Sequence, residues 1–197
     1  YYASRGLGDV YKRQIYFRVI INLGSQVNCL MEDLKIRRFE ENEGGEVSKL
    51  IEKNFLDTNI KGYSKEDMRN LASNYTENKI LNMAKNSHMY VAVLKNKIVG
   101  CGAIASFLGE EDESILLPIF VLPEFQGKGI GKKIMETLER DEYYIRARRV
   151  EVKSSTMACD FYKKMGFNHK YNLKELDKNG NYKLEKFRYR LQYDQNY

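Results

Sequence analysis

The sequence predicts a single α/β domain, and three local patterns of apolar residues predict it. Residues 34–39 alternate between apolar and charged side chains, as a strand with one buried face does. In residues 42–55 the apolar side chains share one face of a helix. Residues 114–122 are almost continuously apolar, which indicates a strand buried on both faces. With 197 residues, of which 43% are hydrophobic, the chain can bury one core.

Two further helices and two strands are predicted between these landmarks. Ser64 lies three residues before Asp67, an approximate capping box at the start of a second helix, and Thr76 begins a third. We expect these antiparallel helices to border a substrate groove. The pattern then changes to two strands, 88–94 and 98–107, joined by a turn at 95–97.

The second half of the chain continues the alternation of strands and helices. Pro118 interrupts the apolar strand and predicts a bulge or a locally unpaired edge, because proline cannot donate a ladder hydrogen bond. Gly166 ends the last predicted helix. We therefore predict a helix at 129–140, a strand at 150–153, a helix at 158–165, and a hairpin from Tyr171 and Leu173 to 182–191 that turns at 177–180. Residues 31–197 are therefore predicted to form one domain in which strands and helices alternate.

Composition excludes several classes of protein. The net charge is +6, but basic and acidic residues are interleaved, so we expect no nucleic-acid partner. No apolar run approaches the roughly 20 residues that a membrane span needs, so we expect no membrane partner. The three cysteines are widely spaced without a CxxC pair, and the two histidines are isolated, which predicts no metal site and no disulfide framework. A reducing cytoplasm fits this cysteine usage best.

The first thirty residues differ in character from the rest. The segment Asp9-Val10-Tyr11-Lys12-Arg13-Gln14 resembles the translation of a transposon-end adapter used to prepare sequencing libraries. We therefore expect residues 1–30 to be an adapter-derived or upstream-translated extension without ordered structure, and Met31 to be the natural start. A genuine basic arm and a signal peptide are the alternatives, although Arg18 and Asn22 interrupt the apolar stretch that a signal peptide would need.

A glycine-rich turn follows the apolar strand directly. It reads Gln126-Gly127-Lys128-Gly129-Ile130-Gly131-Lys132-Lys133 and opens the helix at 129–140. Free backbone N–H groups and the positive end of a helix would converge there, and glycines let the backbone approach an anion closely. The lysines add positive charge. A pyrophosphate is the expected guest, and a plain glycine turn before a helix is the alternative.

Two common pyrophosphate motifs fit this turn poorly. A P-loop needs GxxxxGK[ST], but Gly127 and Gly131 are one position too close, and Lys133 replaces the Ser or Thr. A dinucleotide fingerprint needs GxGxxG, whereas Gly127, Gly129 and Gly131 give GxGxG.

The turn instead resembles the Q/R-x-x-G-x-G/A signature of the GNAT N-acetyltransferase superfamily. A second segment, Ala158 to Phe167, is similar to the family's A-x-x-F-Y-x-x-x-G-F pattern. One departure is Ser155, where the family often has Asn. The resemblance implies a mixed, mostly antiparallel central sheet with helices on both faces and a splay between strands 4 and 5. It also implies acetyl-CoA as the coenzyme.

The resemblance also implies site residues. The backbone of the apolar strand would hold the pantetheine arm, the N–H of Val121 would stabilise an oxyanion, and Tyr162 would protonate the departing thiolate. Core packing beside Phe161 is the alternative role for Tyr162. The expected coenzyme-binding residues are Phe120, Val121, Leu122, Gln126, Gly127, Lys128, Gly129, Ile130, Gly131, Lys132, Ser155 and Ala158.

The general base is harder to assign. Glu113 is the candidate, at the mouth of the strand whose far end would bind the coenzyme, but residues 110–113 also fit a plain acidic loop, and a water chain could replace a dedicated base. Cys101 and Cys159 have no neighbouring histidine in sequence, so a covalent role is not expected. His88 is expected to be structural.

The predicted function is transfer of an acetyl group from acetyl-CoA to a primary amine by direct attack in a ternary complex. The acceptor would be a small-molecule or peptide amine, whose identity the sequence does not encode. A coenzyme-binding sensor or regulatory module on the same fold is the alternative. The sequence leaves a homodimer open.

Overall fold

The computed structural model describes residues 32–57 and 64–188. The predicted N-terminal extension at 1–30 lies outside these residues, as does the predicted end of the last strand at 189–191. Within the described ranges, none of the helices combines the length and the apolar character that a membrane crossing requires.

A seven-stranded mixed sheet forms the centre of the domain, with the strand order β1-β2-β3-β4-β5-β7-β6. Every neighbouring pair is antiparallel except β4 and β5, which run parallel. This confirms the mixed, mostly antiparallel sheet. The strands are β1 (Leu34–Arg38), β2 (His88–Leu94), β3 (Lys97–Ser106), β4 (Glu113–Val121), β5 (Arg149–Ser155), β6 (Asn168–His169) and β7 (Asn181–Phe187).

Within the described residues, six α-helices flank the sheet. They are α1 (Gly44–Asp57), α2 (Lys65–Ala72), α3 (Glu77–Lys85), α4 (Ile130–Leu138), α5 (Glu142–Arg146) and α6 (Cys159–Lys164). The predicted capping box is present at α2, where Ser64 and Asp67 exchange hydrogen bonds of 2.8 and 3.1 Å. Helix α1 packs on β3 and β4 from one side of the sheet and α4 packs on the same strands from the other, as predicted.

Strand β4 parts from β5 halfway along its length. Its parallel pairing with β5 runs from Glu113 to Leu116 only. Strand β5 itself continues to Ser155, paired on its other side with β7. The residues after Leu116 therefore have no partner on β5, and this opening is the predicted splay, called here the gap.

The expected bulge lies where the gap opens. In the pairing of β3 with β4, Cys101 faces Phe120 while Ala103 faces Leu117, so β4 carries one extra residue at Pro118 and Ile119. A bulge of this kind bends its strand and increases the local twist. The prediction from Pro118 is confirmed.

Two glycines of β3 let α4 pack closely on the sheet. A Cβ added to Gly102 would lie 2.9 Å from Ile134 and 3.0 Å from Ile119, and one added to Gly100 would lie 3.0 Å from Ile134. The facing residues of α4, Ile130, Ile134, Met135 and Leu138, are all buried in the core. Helix α4 is thereby fixed against β3 and β4, next to the gap.

The end of the chain differs in part from the predicted hairpin. The turn at 177–180 is confirmed, since the N–H of Gly180 donates to the carbonyl of Asp177 at 2.9 Å. Tyr171, however, lies in a 3-10 turn with φ of 55°, so it cannot continue a strand. The short strand β6 pairs with β7 instead, and Leu176 forms an isolated β-bridge with Tyr182.

Helix α5 was not predicted, and a buried carboxylate explains it. Asp141 caps α5 by accepting from the N–H of Tyr143 at 2.9 Å. The same carboxylate lies 2.8 Å from Nδ1 of His88 and accepts from the hydroxyl of Tyr90 at 2.7 Å. A helix this short is stabilised by its tertiary contacts, which no periodicity in the sequence reveals. His88 thus has the structural surroundings expected of it.

The close approach at Gly102 predicts a loss of stability in Gly102→Ala. Its methyl group would overlap Ile134 and Ile119, and overpacking of this kind costs about 1–3 kcal/mol. The matched control is Gly45→Ala in α1, where the new Cβ meets nothing closer than 3.4 Å. Urea denaturation should show a lower free energy of unfolding for Gly102→Ala only, and equal values for the two variants would contradict the packing described.

Candidate active site

A backbone N–H and a phenol meet in the gap between β4 and β5. The N–H of Ile119, in the bulge, points to the hydroxyl oxygen of Tyr162 at 3.4 Å. Tyr162 comes from α6, which begins after β5 through a tight turn closed by the hydrogen bond from the Ala158 N–H to the Ser155 carbonyl at 3.2 Å. The local connection from β5 to α6 therefore carries the phenol into the opening.

Burial sets the protonation state of Tyr162. Its side chain is only 3% exposed and makes edge contacts with the rings of Phe161 and Phe167 at 5.1 and 6.0 Å. Burial raises the pKa of Tyr162 to about 12, against a smaller lowering by the Ile119 N–H. The phenol is therefore protonated at neutral pH and can donate a proton.

The edge of β4 presents alternate backbone groups to the gap. The N–H of Leu122 donates to the carbonyl of Val99 on the β3 side at 2.9 Å, so it is not available to a ligand, contrary to the expectation for this residue. Backbone N–H and C=O groups point alternately to the two sides of a strand. Those of Ile119 and Val121 therefore point into the gap, and those of Phe120 point to β3. Ile119 was missed from the sequence, since only the bulge reveals which N–H reaches the tyrosine.

The glycine turn lies at the end of the same strand. Gly127 and Gly129 have φ of 71° and 87°, values that side-chain-bearing residues rarely adopt. The first helical hydrogen bond of α4 runs from the Lys133 N–H to the Gly129 carbonyl at 3.1 Å, so the N–H groups before it are left without helical partners. A Cβ on Gly127 would meet no atom within 4 Å, which shows open space over the turn.

The side chains around the turn are used in different ways. Lys128 donates to the carbonyl of Glu124 at 2.8 Å and lies over the ring of Phe125. Lys132 is 65% exposed and only loosely paired with Glu136 at 3.8 Å, so its ammonium can reach a phosphate. Ile130 is buried, and it can offer a ligand only its backbone.

Two polar residues named from the sequence bond to the protein itself. The side-chain amide of Gln126 donates to the Val121 carbonyl at 2.9 Å and to Oδ1 of Asn54 at 3.2 Å. The hydroxyl of Ser155 accepts from the Ala158 N–H at 3.3 Å. Both side chains shape the backbone around the gap, and Asn54 had no sequence signal that linked it to the turn.

Glu113 lies far from this centre and is already paired. Ile119 lies six positions further along β4, or about 20 Å at the rise of a strand. It forms a two-pronged ion pair with Arg149, with one contact of 2.9 Å, and this hydrogen bonding lowers the pKa of Glu113. Arg149 also contacts Glu151 at 3.0 Å and Glu185 at 3.2 Å. The geometry weighs against Glu113 as a general base.

An aromatic cluster borders the gap on the α1 side. Tyr75 packs edge-on against Phe120 with ring centroids 5.4 Å apart, and Phe55 lies 5.7 Å from both rings. Ser48 of α1 fixes this arrangement by donating to the Tyr75 carbonyl at 2.7 Å. The three rings are separated widely in sequence, so spacing alone could not bring them together.

The two described cysteines are unsuited to nucleophilic chemistry. Cys101 is 1% exposed, and burial raises its pKa to about 12. Cys159 is also buried. Across residues 32–57 and 64–188, no three side chains of His, Cys, Asp or Glu are grouped so that they could hold a metal ion.

Comparison with known proteins agrees with this geometry. Residues 85–169, from the end of α3 through β6, match the family described as "Acetyltransferase (GNAT) domain". No curated protein sequence matches the chain.

Solved structures share the whole architecture. A PaiA N-acetyltransferase from Thermoplasma acidophilum, solved in complex with coenzyme A, has 18% identity and a TM-score of 0.68, with 79% of this chain and 99% of that chain covered. Ard1 from Thermoplasma volcanium has 19% identity and a TM-score of 0.58, with 79% and 97% covered. PH1933 from Pyrococcus horikoshii OT3 has 21% identity and a TM-score of 0.60, with 79% and 99% covered.

The matched segment contains the bulged strand, the glycine turn and the helix of Tyr162, and the structural likeness extends over the helices and strands on either side of it. The family match over residues 85–169 and the shared fold together support membership of the GNAT acetyltransferase superfamily.

Proposed function

We propose that this protein transfers the acetyl group of acetyl-CoA to a primary amine of a small molecule or peptide. One observation carries the proposal: a protonated phenol and a strand N–H meet in a gap that opens directly onto an N–H-rich glycine turn. GNAT acetyltransferases use acetyl-CoA, and this arrangement supplies separate positions for the two ends of that molecule.

The residues present fit the coenzyme. The unpaired edge of β4 at Ile119 and Val121 offers backbone hydrogen bonds to the amide groups of a pantetheine arm. The N–H groups of Gly127 to Gly131 and the positive end of α4 suit a pyrophosphate, with Lys132 as a nearby cation. Ala158 and Ser155 form the opposite rim at the start of α6.

Bound there, the coenzyme supplies an activated acetyl thioester. The N–H of Ile119 or Val121 would donate to the oxygen on which charge develops during attack by the amine. Tyr162 would give its proton to the departing sulphur, since its raised pKa keeps the proton in place until that moment. Holding both reactants in one gap supplies much of the acceleration.

Direct attack on the thioester is favoured over an acyl-enzyme. The Cys101 thiol is buried with a raised pKa, which disfavours the thiolate that a nucleophile needs. Because Glu113 is paired with Arg149, the proton of the incoming amine is assigned to water and not to this carboxylate.

The glycine turn predicts that Gly129→Val abolishes most coenzyme binding. Gly129 has φ of 87°, a conformation that a β-branched residue rarely adopts. Valine would therefore change the backbone of the turn and misalign its N–H groups. Gly109→Val is the matched control, because Gly109 has φ of 85° in an exposed loop away from the turn. Calorimetric titration with CoA should show at least a tenfold weaker affinity for Gly129→Val alone. An unchanged affinity would overturn the proposed function.

Removal of the Tyr162 hydroxyl should reduce turnover. Tyr162→Phe should lower kcat by about 10²–10⁴-fold, the usual contribution of a general acid, with little effect on CoA affinity. Tyr144→Phe is the control, because Tyr144 is equally buried but bonds to Glu139 at 3.0 Å. The assay is release of free thiol with a panel of amines. Tight CoA binding by the wild type without turnover on any amine would favour the sensor alternative.

The raised pKa of Tyr162 predicts the shape of the pH profile. Activity should rise with pH as the amine loses its proton, and Tyr162 should not cause a fall below about pH 10, because its pKa of about 12 keeps it protonated there. The measurement is kcat/KM for the amine between about pH 6.5 and 9.5. A descending limb near pH 8 that disappears in Tyr162→Phe would contradict the assignment.

A further inference from the structure

We infer that Asn54 is a positioning residue for the coenzyme site, acting through the side chain of Gln126. The inference rests on the proposed function, because it concerns the glycine turn that would hold the pyrophosphate. Asn54 lies in α1, the helix that packs on the opposite face of the sheet from α4. It is 8% exposed, so its amide is shielded from solvent.

Hydrogen bonds at both ends fix the orientation of the Asn54 amide. Its Nδ2 donates to the carbonyl of Leu50 at 3.0 Å, one turn earlier in α1. Oδ1 therefore faces Gln126 and accepts from Nε2 of that residue at 3.2 Å. Because a buried amide with a satisfied donor cannot flip without losing that bond, the acceptor is held in place.

Gln126 passes this restraint to the backbone of the site. Its Nε2 has two hydrogens, and the second bonds to the Val121 carbonyl at 2.9 Å. Val121 is the last residue of β4, on the edge that faces the gap, and Gln126 directly precedes Gly127. The bridge from Asn54 therefore clamps the end of the open strand to the first residue of the turn.

A second link between the same parts of the fold is much weaker. Lys53 contacts Glu124 at 2.9 Å, but the two side chains are 45% and 41% exposed. Exposed ion pairs contribute little because water and salt screen them. Lys53→Ala is thus a matched control: it removes a neighbouring contact between α1 and the same loop without touching the buried bridge.

The test is a double-mutant cycle on CoA affinity, with binding measured by calorimetry. Asn54→Ala and Gln126→Ala should each weaken CoA binding about five- to tenfold, and the double variant should be no weaker than Gln126→Ala alone. KM for acetyl-CoA should rise by the same factor, while KM for the amine stays within about twofold. Lys53→Ala should change CoA affinity by less than about twofold.

Conservative variants separate positioning from general stability. Asn54→Leu and Gln126→Met keep the approximate size and the neutral charge of each side chain but remove the bridge, so both should weaken CoA binding as the alanine variants do. Thermal unfolding of each variant identifies any that lose the fold. Should Asn54→Ala fail to fold, the CoA affinity of Asn54→Leu decides the matter, and wild-type affinity in that variant would overturn the inference.

Two results would overturn this inference: wild-type CoA affinity in Asn54→Ala, or losses in the single variants that simply add in the double variant. Either result leaves the proposed function intact, provided that the wild type binds CoA and Gly129→Val does not. Failure of the wild-type protein to bind CoA would instead overturn the proposed function, and the inference with it.

Discussion

The separation of β4 from β5 is the constraint on which the rest of the site depends. Parallel pairing stops at Leu116, and the bulge at Pro118 and Ile119 then bends β4 away from its neighbour. A strand edge left open inside a sheet normally costs stability, because its N–H and C=O groups lack partners. Here that edge is a ready template for an extended ligand, and the hydroxyl of Tyr162 lies against it at Ile119.

Both sides of the sheet hold this edge in position. On one face, the missing side chains of Gly100 and Gly102 let α4 approach β3, which places the N-terminal end of α4 beside the last residues of β4. On the other face, α1 reaches the same region through the buried amide of Asn54. The open strand is thus supported by the packing of α4 on one face of the sheet and by the hydrogen-bonded bridge from α1 on the other.

Two kinds of polar group lie beside β4 and β5. Tyr162 is isolated and neutral, and burial raises its pKa, whereas the cluster around Arg149 brings together Glu113, Glu151 and Glu185. Charges that satisfy one another are poor proton carriers, because pairing stabilises the ionised carboxylates. The acid of the proposed reaction is therefore a protein group, while the proton of the amine is left to water.

Local sequence determined most of the elements, the bulge at Pro118, and the turn of Gly127 to Gly131, because these depend on periodicity and on backbone conformations that few residues adopt. Tertiary structure alone decided which groups meet: Ile119 with Tyr162, Asn54 with Gln126, and Glu113 with Arg149. It also decided that β6 pairs with β7 and that the Asp141 carboxylate meets His88 and Tyr90. Each of these contacts joins residues distant in the chain, and only the folding of the sheet brings them within reach of one another.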